Sequence, residues 1–322
     1  MDRPNEGAAG PSGRVALHDP GNGRAHTAER TEDLQLPTRS RRGYGGIAAA
    51  VLASLVIIDF VQSFARNKVV GWSVVGDYLF DHRILEGVGR TIGLTFVSMA
   101  LALVIAVIIA IMRLSENAAL RRIASGYVWF FRSMPILVLL IVTFNLALIY
   151  PEVTIGIPGG PTLFSASTND LITPYWAAVM AFSINESSYA SEILRTSILA
   201  VAKGQTEAGM ALAMNSRRIY ARIILPQAIR IAVPPLGNET IKMLKETSLV
   251  AFISVFDLMY TVQSIYQVNY KIFPLLMVAT IWYIVLVSIL SLIQAAVERR
   301  LRGSRRSVGM AWRRAKREAT NG

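Results

Sequence analysis

The stretch GLTFVSMALALVIAVIIAIM, residues 93–112, decides the fold because it runs for twenty residues without a charged side chain. A helix that crosses a bilayer needs about 20 predominantly apolar residues, whereas a helix of a soluble protein is apolar on one face only. The stretch therefore predicts a transmembrane helix. The composition agrees, since 53% of the 322 residues are hydrophobic and 17% are charged, against about 45–50% and about 25% in soluble domains.

Further apolar runs of similar length lie on both sides of this stretch. The run from residue 128 is interrupted early by Pro135, the run from residue 175 carries polar residues, and the run from residue 240 has charges at its start. We therefore predict an all-α integral membrane protein with about six transmembrane helices. The predicted spans are residues 47–64, 91–112, 128–150, 175–194, 240–260 and 274–297.

The distribution of basic residues predicts how the chain is oriented. Residues 113–132 contain four arginines and residues 195–230 contain six basic residues, whereas residues 151–174 contain no lysine or arginine. Lysine and arginine accumulate in cytoplasmic connections. The pattern predicts a multi-pass protein of the cytoplasmic membrane with both termini in the cytoplasm. Residues 66–90, with four basic residues on the predicted outer side, are the exception.

The two ends of the chain differ from its apolar middle. Residues 1–42 are polar and rich in glycine and proline, so they cannot bury enough apolar area to offset their ordering entropy. They are predicted to be a disordered cytoplasmic tail, followed by an extra N-terminal transmembrane helix over residues 43–66. Residues 301–322 form a basic cytoplasmic tail that is expected to meet anionic lipids. No nucleic-acid recognition motif accompanies the net charge of +12.

Several kinds of chemistry are excluded by residue type. Cysteine is absent, and the three histidines stand at no metal-ligand spacing. This excludes disulfides and thiolate zinc sites, and it makes a metal site unexpected. No phosphate-binding loop or dinucleotide fingerprint is present either. We therefore expect no cofactor in this chain and no ATPase site of its own.

The long basic connection after the fourth span is too regular to be a simple linker. Residues 207–215 are good helix formers with an apolar stripe at Ala208, Ala211 and Leu212. The cations of residues 216–218 would then stand at the C-terminus of this helix. Prolines 226, 234 and 235 are expected to break the chain before the fifth span. Such a helix either lies in a groove of a partner protein or lies on the inner leaflet.

The same connection resembles the EAA loop of ABC importer permeases, whose pattern is Glu-Ala-Ala, three residues, Gly, nine residues, Ile, any residue, Leu-Pro. Two positions depart from it, with Gly209 in place of the second alanine and Ala213 in place of glycine. Both changes keep a small residue, but alanine reduces the backbone freedom of the turn. The matching positions are Glu207, Ala208, Gly209, Ala213, Ile223, Leu225 and Pro226.

Flanking phrases narrow the resemblance to polar amino acid permeases such as those for histidine, glutamine or arginine. These phrases are YASEILR at 189–195, RSMPIL at 132–137, PPLGNE at 234–239 and KETSL at 245–249. The resemblance covers residues 85–300. It implies a type I importer fold with a five-helix core, to which the N-terminal span is an addition, and a cytoplasmic coupling loop over residues 203–226.

The resemblance also implies partners. They are a cytoplasmic ATPase dimer that carries ATP and magnesium, a second permease subunit that is the same chain or a related one, and an extracytoplasmic solute-binding protein. The coupling helix would transmit ATPase closure to the spans. The residues expected to contact the ATPase are Gly204, Glu207, Ala208, Gly209, Ala213, Ile223, Leu225 and Pro226.

Ionisable groups inside spans are costly and usually face a pathway or a partner. Glu186 stands near the middle of the fourth span and is expected either to meet a cationic group of the substrate or to pair with Lys242 or Lys245. Charged residues at the start of the fifth span line an inner gate or snorkel to the headgroups, and Lys242 is placed to pair with Glu246. The pathway candidates are Asn185, Glu186, Tyr189, Glu192, Glu239, Lys242, Lys245 and Glu246.

These observations favour the permease subunit of an ATP-driven importer of a polar amino acid. One alternative is an ion-coupled secondary carrier that uses Glu186 and Glu192, which would leave the long cytoplasmic helix unexplained. The other is a membrane-embedded enzyme, which would need a nucleophile, a dyad or a metal site within the spans. No such constellation stands at a convincing spacing in the sequence.

Overall fold

The computed structural model describes residues 44–156 and 162–320. The predicted disordered tail, residues 1–42, lies outside the described residues. The described chain is helical apart from one short hairpin. It divides into two units, residues 1–58 and residues 59–322, and each unit is described by itself.

The described part of the first unit is helical. It forms most of α1 (Tyr44–Arg66), which ends inside the second unit. The bounds of α1 agree with the extra N-terminal helix predicted over residues 43–66. Residues 46–66 of α1 are long and apolar enough to cross a membrane.

The second unit opens with a short entry to its longest apolar helix. A 3-10 helix (Lys68–Val70) and α2 (Trp72–Leu79) lead to α3 (His82–Leu114). Asp81 starts α3, because its carboxylate accepts a hydrogen bond from the Arg83 N–H at 2.9 Å. The Arg83 guanidinium also bonds this carboxylate and lowers its pKa. With 33 residues, α3 is about 50 Å long.

The predicted third span is bent and ends early. It consists of α4 (Ala118–Ser133) and α5 (Ile136–Phe144), which meet at 100°. Pro135 causes the break, since proline lacks an N–H and pushes the preceding Met134 into an extended conformation. The interruption that the sequence predicts at Pro135 is therefore present, and the helix that follows it ends at Phe144 rather than at residue 150.

A β-hairpin follows where no strand was predicted. A 3-10 helix (Leu146–Leu148) leads into β1 (Glu152–Gly156), which pairs antiparallel with β2 (Thr162–Ser167). The short helix α6 (Thr168–Leu171) then connects to the next long helix.

The polar helix α7 (Pro174–Leu199) lies at the centre of the second unit, packed against α3, α4, α5 and α10. Its buried face is made of small residues, including Ser183, Ser187 and Ser191, which let neighbouring backbones approach closely. The serine hydroxyls donate to backbone carbonyls; for example, Ser183 bonds the Ser98 carbonyl on α3 at 3.1 Å. This is how a helix with many polar residues is accommodated inside the bundle.

The connection after α7 folds into short helices that run directly into the next long one. These are α8 (Lys203–Ala211), α9 (Ser216–Ile219), a π-helical turn (Tyr220–Ile224) and α10 (Leu225–Glu246). The prolines at 234 and 235 lie inside α10, so the prediction that they break the chain is wrong. Helices of membrane proteins tolerate proline where neighbouring groups satisfy the backbone carbonyls that it frees. Gln294 donates to the Pro234 carbonyl itself at 3.1 Å and so holds this part of α10 against the last helix.

The fifth span is also interrupted and shifted from its predicted bounds. After α10 a 3-10 helix (Thr247–Ile253) leads to a break, and α11 (Leu258–Asn269) continues at 45°. Residues 240–260 are therefore not one helix. The last helix, α12, runs from Ile272 to Thr320 and contains the predicted sixth span.

The described residues include three helices that are long and apolar enough to cross a membrane, or up to five spans if each bent pair counts as one. The central helix α7 is long enough, but its polar residues keep it out of this count. The number of six spans stays a prediction.

Candidate functional site

A cavity of about 500 Å³ opens where the chain bends at Pro135. The bend separates α4 from α5 and leaves space against α7 and α10. Because α7 and α10 carry the polar residues of the bundle, this space has charged walls. The lining residues are Arg132, Ser133, Met134, Pro135 and Ile136 from the bend, Asn185 and Tyr189 from α7, and Glu239, Lys242 and Glu246 from α10.

Lys242 is the centre of the charges in this cavity. Its ammonium nitrogen lies 3.3 Å from Oε2 of Glu186 on α7 and forms an ion pair with Glu239, one turn earlier on α10. The same nitrogen stands 4.1 Å from the centroid of the Tyr189 ring, where the quadrupole of the ring attracts a cation. One lysine therefore connects two carboxylates and one aromatic ring across two helices.

The Tyr189 ring holds a second cation. The guanidinium carbon of Arg132 lies 4.9 Å from the ring centroid, and the Tyr189 hydroxyl donates to the Arg132 carbonyl at 3.5 Å. The sequence gives no role to Arg132 beyond its place in the RSMPIL phrase, because its distance from Tyr189 along the chain is 57 residues. The fold brings it into the cavity wall.

Glu186 is the most deeply buried carboxylate of the group, with 2% of its side chain exposed. Burying a charge is costly unless it is paired, and Lys242 supplies the pair. The internal ion pair with Lys242, one of the two arrangements expected from sequence, is thus confirmed. The Oε1 atom of Glu186 has no hydrogen-bond partner among the described residues. Contact between Glu186 and a substrate stays a prediction.

Hydrogen bonds fix α7 against α4 next to the cavity. The Asn185 amide donates to the Phe131 carbonyl at 3.0 Å, and the Tyr127 hydroxyl lies 2.7 Å from the Ser187 hydroxyl. These contacts position the end of α4, and with it the neighbouring Arg132. Asn185 therefore lines the cavity and also holds the end of α4 in place through its side-chain bond to the Phe131 carbonyl.

Three pathway candidates lie outside the cavity lining. Glu186 is connected to it through Lys242, whereas Glu192 and Lys245 are not. Glu192 forms ion pairs with Arg113 at the end of α3 and with Arg195, the latter at 2.6 Å. Lys245 is exposed. The predicted pair along α10 is also corrected: Lys242 pairs with Glu239 and Glu186 rather than with Glu246, because Glu239 lies one turn earlier on the helix and Glu186 faces it across the interface.

The segment at residues 203–226, called here the coupling segment, has different helix bounds from those predicted. Its first helix, α8, covers residues 203–211 rather than 207–215. The arginines at 217 and 218 consequently belong to α9 and do not end the first helix. The helix stops because the chain turns at Ala213, which has a φ of +54°.

The turn at Ala213 is a Schellman motif. The Ala213 N–H bonds the Met210 carbonyl at 2.9 Å, and the Met214 N–H bonds the Gly209 carbonyl at 3.1 Å. Glycine is the usual residue at this left-handed position, which gives a physical reason for the glycine of the EAA pattern. Ala213 adopts this left-handed conformation although its Cβ makes the conformation unfavourable.

Gly209 allows α8 to approach α9 closely. A Cβ at this position would stand 2.8 Å from Cγ1 of the Ile219 side chain. Ile219 is buried and belongs to an apolar cluster with Val201, Ile224 and Ala228. The small residue at 209 is therefore needed for packing within the segment itself.

The outer surface of the coupling segment exposes large apolar side chains as well as the cations Lys203, Arg217, Arg218 and Arg222. Glu207 and Ala208 are exposed, and the ion pairs found among the described residues do not include Glu207. Exposed apolar patches mark interaction sites. The large exposed side chains are Met210, Leu212, Tyr220 and Leu225.

A second cavity, of about 430 Å³, lies at the break between the 3-10 helix and α11. Arg90 from α3 and the buried Asp257 line it. Asp257 accepts a hydrogen bond from the Tyr260 N–H at 2.8 Å and so caps α11. The sequence gives no signal for this cavity, because its walls come from three segments far apart in the chain.

Comparison with known proteins identifies the kind of chain that has these features. The family described as "Binding-protein-dependent transport system inner membrane component" matches residues 91–303. The chain is 39% identical over 266 residues to the arginine transport system permease protein ArgU of Corynebacterium glutamicum, which covers 81% of this chain and 82% of that protein. It is 38% identical over 247 residues to the L-cystine transport system permease protein TcyB of Bacillus subtilis, which covers 76% of this chain and 97% of that protein.

Solved structures share the fold. A crystal structure of an amino acid ABC transporter with histidines contains a chain that is 31% identical and superposes with a TM-score of 0.59, covering 68% of this chain and 94% of that one. An inward-facing structure of the MetNI methionine ABC transporter gives a TM-score of 0.53 at 19% identity, covering 68% of this chain and 96% of that one. The second likeness concerns the fold alone.

Proposed function

The chain belongs to the family of binding-protein-dependent transport system inner membrane components, and we propose that it is the permease subunit of an ATP-driven importer that carries a polar amino acid, or a related small solute, into the cytoplasm. Members of this family are multi-pass proteins of the inner membrane that work with an ATPase and a solute-binding protein. The named relatives transport arginine or L-cystine.

The cavity around Lys242 is the observation that carries this proposal. An α-amino acid has a carboxylate and an ammonium group at neutral pH, and the cavity walls present both kinds of complementary charge. Arg132 and Lys242 are the cations, and Glu239 and Glu246 are the carboxylates. The volume of about 500 Å³ lies within the usual range for small-molecule sites. Such a site favours a small zwitterion over an apolar solute.

The coupling segment supports the ATP-driven part of the proposal. Its exposed apolar side chains and unpaired Glu207 suit a groove on a partner better than an aqueous surface. In our proposal the ATPase holds ATP and magnesium and closes on α8. The π-helical turn joins α9 to α10 without a linker, and α8 packs against α9 through Gly209 and Ile219. Movement of the docked segment is therefore passed to the helix that carries Lys242.

The finer arrangement follows from charge. We propose that both termini lie in the cytoplasm, since the arginine-rich connections and the C-terminal tail share one side. The basic tail then meets anionic lipid headgroups. A second permease subunit, either another copy or a related chain, completes the pathway.

Uptake by reconstituted complexes tests the proposal. The chain, its ATPase and its binding protein are placed in proteoliposomes, and entry of labelled arginine, lysine, histidine, glutamine, cystine and leucine is measured with and without ATP. We expect ATP-dependent uptake of a polar amino acid and no uptake of leucine. A matched complex with the chain omitted sets the background.

Two results would contradict this function. Uptake that continues unchanged without ATP would favour an ion-coupled carrier. ATP-dependent uptake of none of these amino acids would exclude the proposed substrate class.

A further inference from the structure

The contacts of Lys242 are those that a cationic ligand would need. Two carboxylates and an aromatic face converge on its nitrogen, with Glu186 at 3.3 Å, an ion pair to Glu239, and the Tyr189 centroid at 4.1 Å. Aromatic faces and carboxylates together are a common means of binding ammonium groups. These groups form a cation-binding site, and in this structure the cation that it binds is the ammonium of Lys242.

Glu186 is more deeply buried than the cation with which it pairs. The Glu186 side chain is 2% exposed, whereas a third of the Lys242 side chain is exposed to the cavity. A lysine carries its charge on a flexible four-carbon stem, so the ammonium can move without a change of backbone. In addition, Oε1 of Glu186 is buried without a hydrogen-bond partner among the described residues, and it remains an acceptor that Lys242 does not use.

The charges around the site favour a cation even when Lys242 leaves. The charged groups that face it are Arg132 from α4, Glu186 from α7, and Glu239, Lys242 and Glu246 from α10. Without the lysine, three carboxylates face one guanidinium. An entering cation would therefore find a negative cavity, whereas an entering carboxylate would find Arg132 alone.

We propose that the Lys242 ammonium is a resident counter-ion that occupies the seat of a substrate's cationic side chain and is displaced when that substrate binds. This inference rests on the proposed function and adds a specificity-determining residue to it. The substrate class is an amino acid with an ammonium or guanidinium side chain. The lysine stem swings towards the open part of the cavity as the substrate cation takes its place between Glu186, Glu239 and Tyr189.

Binding measurements on the full complex test this displacement. The chain is purified with its ATPase, and binding of labelled arginine and labelled glutamine is measured without ATP for the wild type, Lys242→Met, Lys242→Arg and Lys242→Met/Glu186→Gln. The double variant also removes the Glu186 carboxylate, so it tests whether a gain in Lys242→Met depends on that carboxylate. The labelling measurement described below uses the wild type and remains informative if Lys242→Met fails to fold. Lys271→Met, which removes an exposed lysine at the start of α12, is the matched control.

The expected result is selective. Removal of the competing cation in Lys242→Met should lower the arginine dissociation constant about tenfold, which corresponds to about 1.4 kcal/mol. The double variant should not show this gain, because it also lacks the Glu186 carboxylate of the site. Glutamine binding should change by less than about twofold, and Lys242→Arg should show no gain. Weaker binding of both amino acids would show that Lys242 holds the substrate carboxylate, and an equal gain for both would show that the seat takes the α-ammonium group. Either result overturns the proposal.

Chemical labelling provides a second, independent readout. An amine-acylating reagent should modify Lys242 faster in the presence of saturating arginine, because the displaced ammonium enters the open cavity, while the rate at Lys271 stays constant. Protection of Lys242 by arginine would overturn the proposal. A wild-type complex that binds neither amino acid would instead count against the proposed function, which separates the two failures.

Discussion

The cavity and the coupling segment differ in whether their carboxylates form ion pairs within the chain. In the cavity, Glu186, Lys242 and Glu239 pair with one another across two helices. In the coupling segment, Glu207 is exposed and forms none of the ion pairs found among the described residues, and the segment also exposes large apolar side chains. The two regions are joined by one continuous stretch of chain through the π-helical turn and α10.

The difference shows which surface is complete in this chain and which one needs a partner. A buried charge must be compensated where it lies, so the cavity carries its own counter-ions. An exposed carboxylate needs no counter-ion within the chain. The exposed apolar residues of the same segment are explained by a partner that covers them. Substitutions in the cavity should therefore affect this chain itself, whereas substitutions in the coupling segment should affect its contact with the ATPase.

Glu207→Arg should have the largest effect. It tests whether the coupling segment binds a partner. Reversal of an exposed charge leaves the fold intact, but it places a cation in the docking surface. We expect ATP-driven uptake to fall about 100-fold, which is within the range of typical coupling free energies, while the amount of inserted chain stays constant. Uptake in proteoliposomes and co-purification of the ATPase measure the two halves of this prediction.

Glu116→Arg is the matched control, because Glu116 is exposed in the connection between α3 and α4 and lies outside the coupling segment. It should retain uptake. Full ATP-driven uptake by Glu207→Arg would contradict the docking role of the coupling segment.

Lys242→Met should have the next largest effect. It tests whether the ion pairs of the cavity stabilise this chain. Removing one partner of a fully buried ion pair costs about 3–5 kcal/mol. Because a third of the lysine side chain is exposed, we expect a loss of about 2 kcal/mol in the free energy of unfolding. Thermal or denaturant unfolding of the detergent-solubilised protein gives the value.

A double-mutant cycle isolates the pair. Lys242→Met/Glu186→Gln should recover part of the loss, since it removes the more deeply buried of the two carboxylates that lose their partner. If the losses of the two single variants simply add in the double variant, the ion pair makes no contribution to stability.

The sequence predicts the two regions unequally well, for physical reasons. Uninterrupted apolar runs such as residues 93–112 identify helices directly, because a lipid environment requires them. Proline is ambiguous: Pro135 breaks a helix whereas the prolines at 234 and 235 do not, and the local sequence does not distinguish the two cases. The coupling motif is local and could be located at residues 207–226. Its helix bounds depend on a left-handed turn at Ala213, which could not be predicted because alanine rarely adopts this conformation.

The cavity depends on contacts between distant parts of the chain. Spacing along α10 brings Glu239 and Lys242 together and correctly predicts that they share a face. It cannot choose between Lys242 and Lys245 as the partner of Glu186, since that choice depends on how α10 is rotated against α7. Arg132 could not be predicted, because it enters the cavity only through the bend at Pro135.

Gly209→Ala should have a smaller effect, which is confined to packing inside the coupling segment. The new Cβ would stand 2.8 Å from Cγ1 of buried Ile219, so α8 and α9 must move apart. We expect the free energy of unfolding to fall by about 1 kcal/mol. Gly204→Ala is the control, because a Cβ there meets nothing within 4 Å. Equal stability of the two variants would show that α8 has room to shift.

Ala213→Gly should have the smallest effect and the opposite sign. Ala213 holds the left-handed position of the Schellman turn that ends α8, where an alanine costs about 1–2 kcal/mol and a glycine does not. Because glycine loses about 0.5–1 kcal/mol more backbone entropy on folding, the net gain in the free energy of unfolding should be about 0.5–1 kcal/mol. Ala211→Gly, two residues earlier in the helix, should instead lose up to about 1 kcal/mol. A loss in both variants would mean that the turn relaxes in solution, and that the coupling segment reaches its left-handed conformation only when the ATPase covers it.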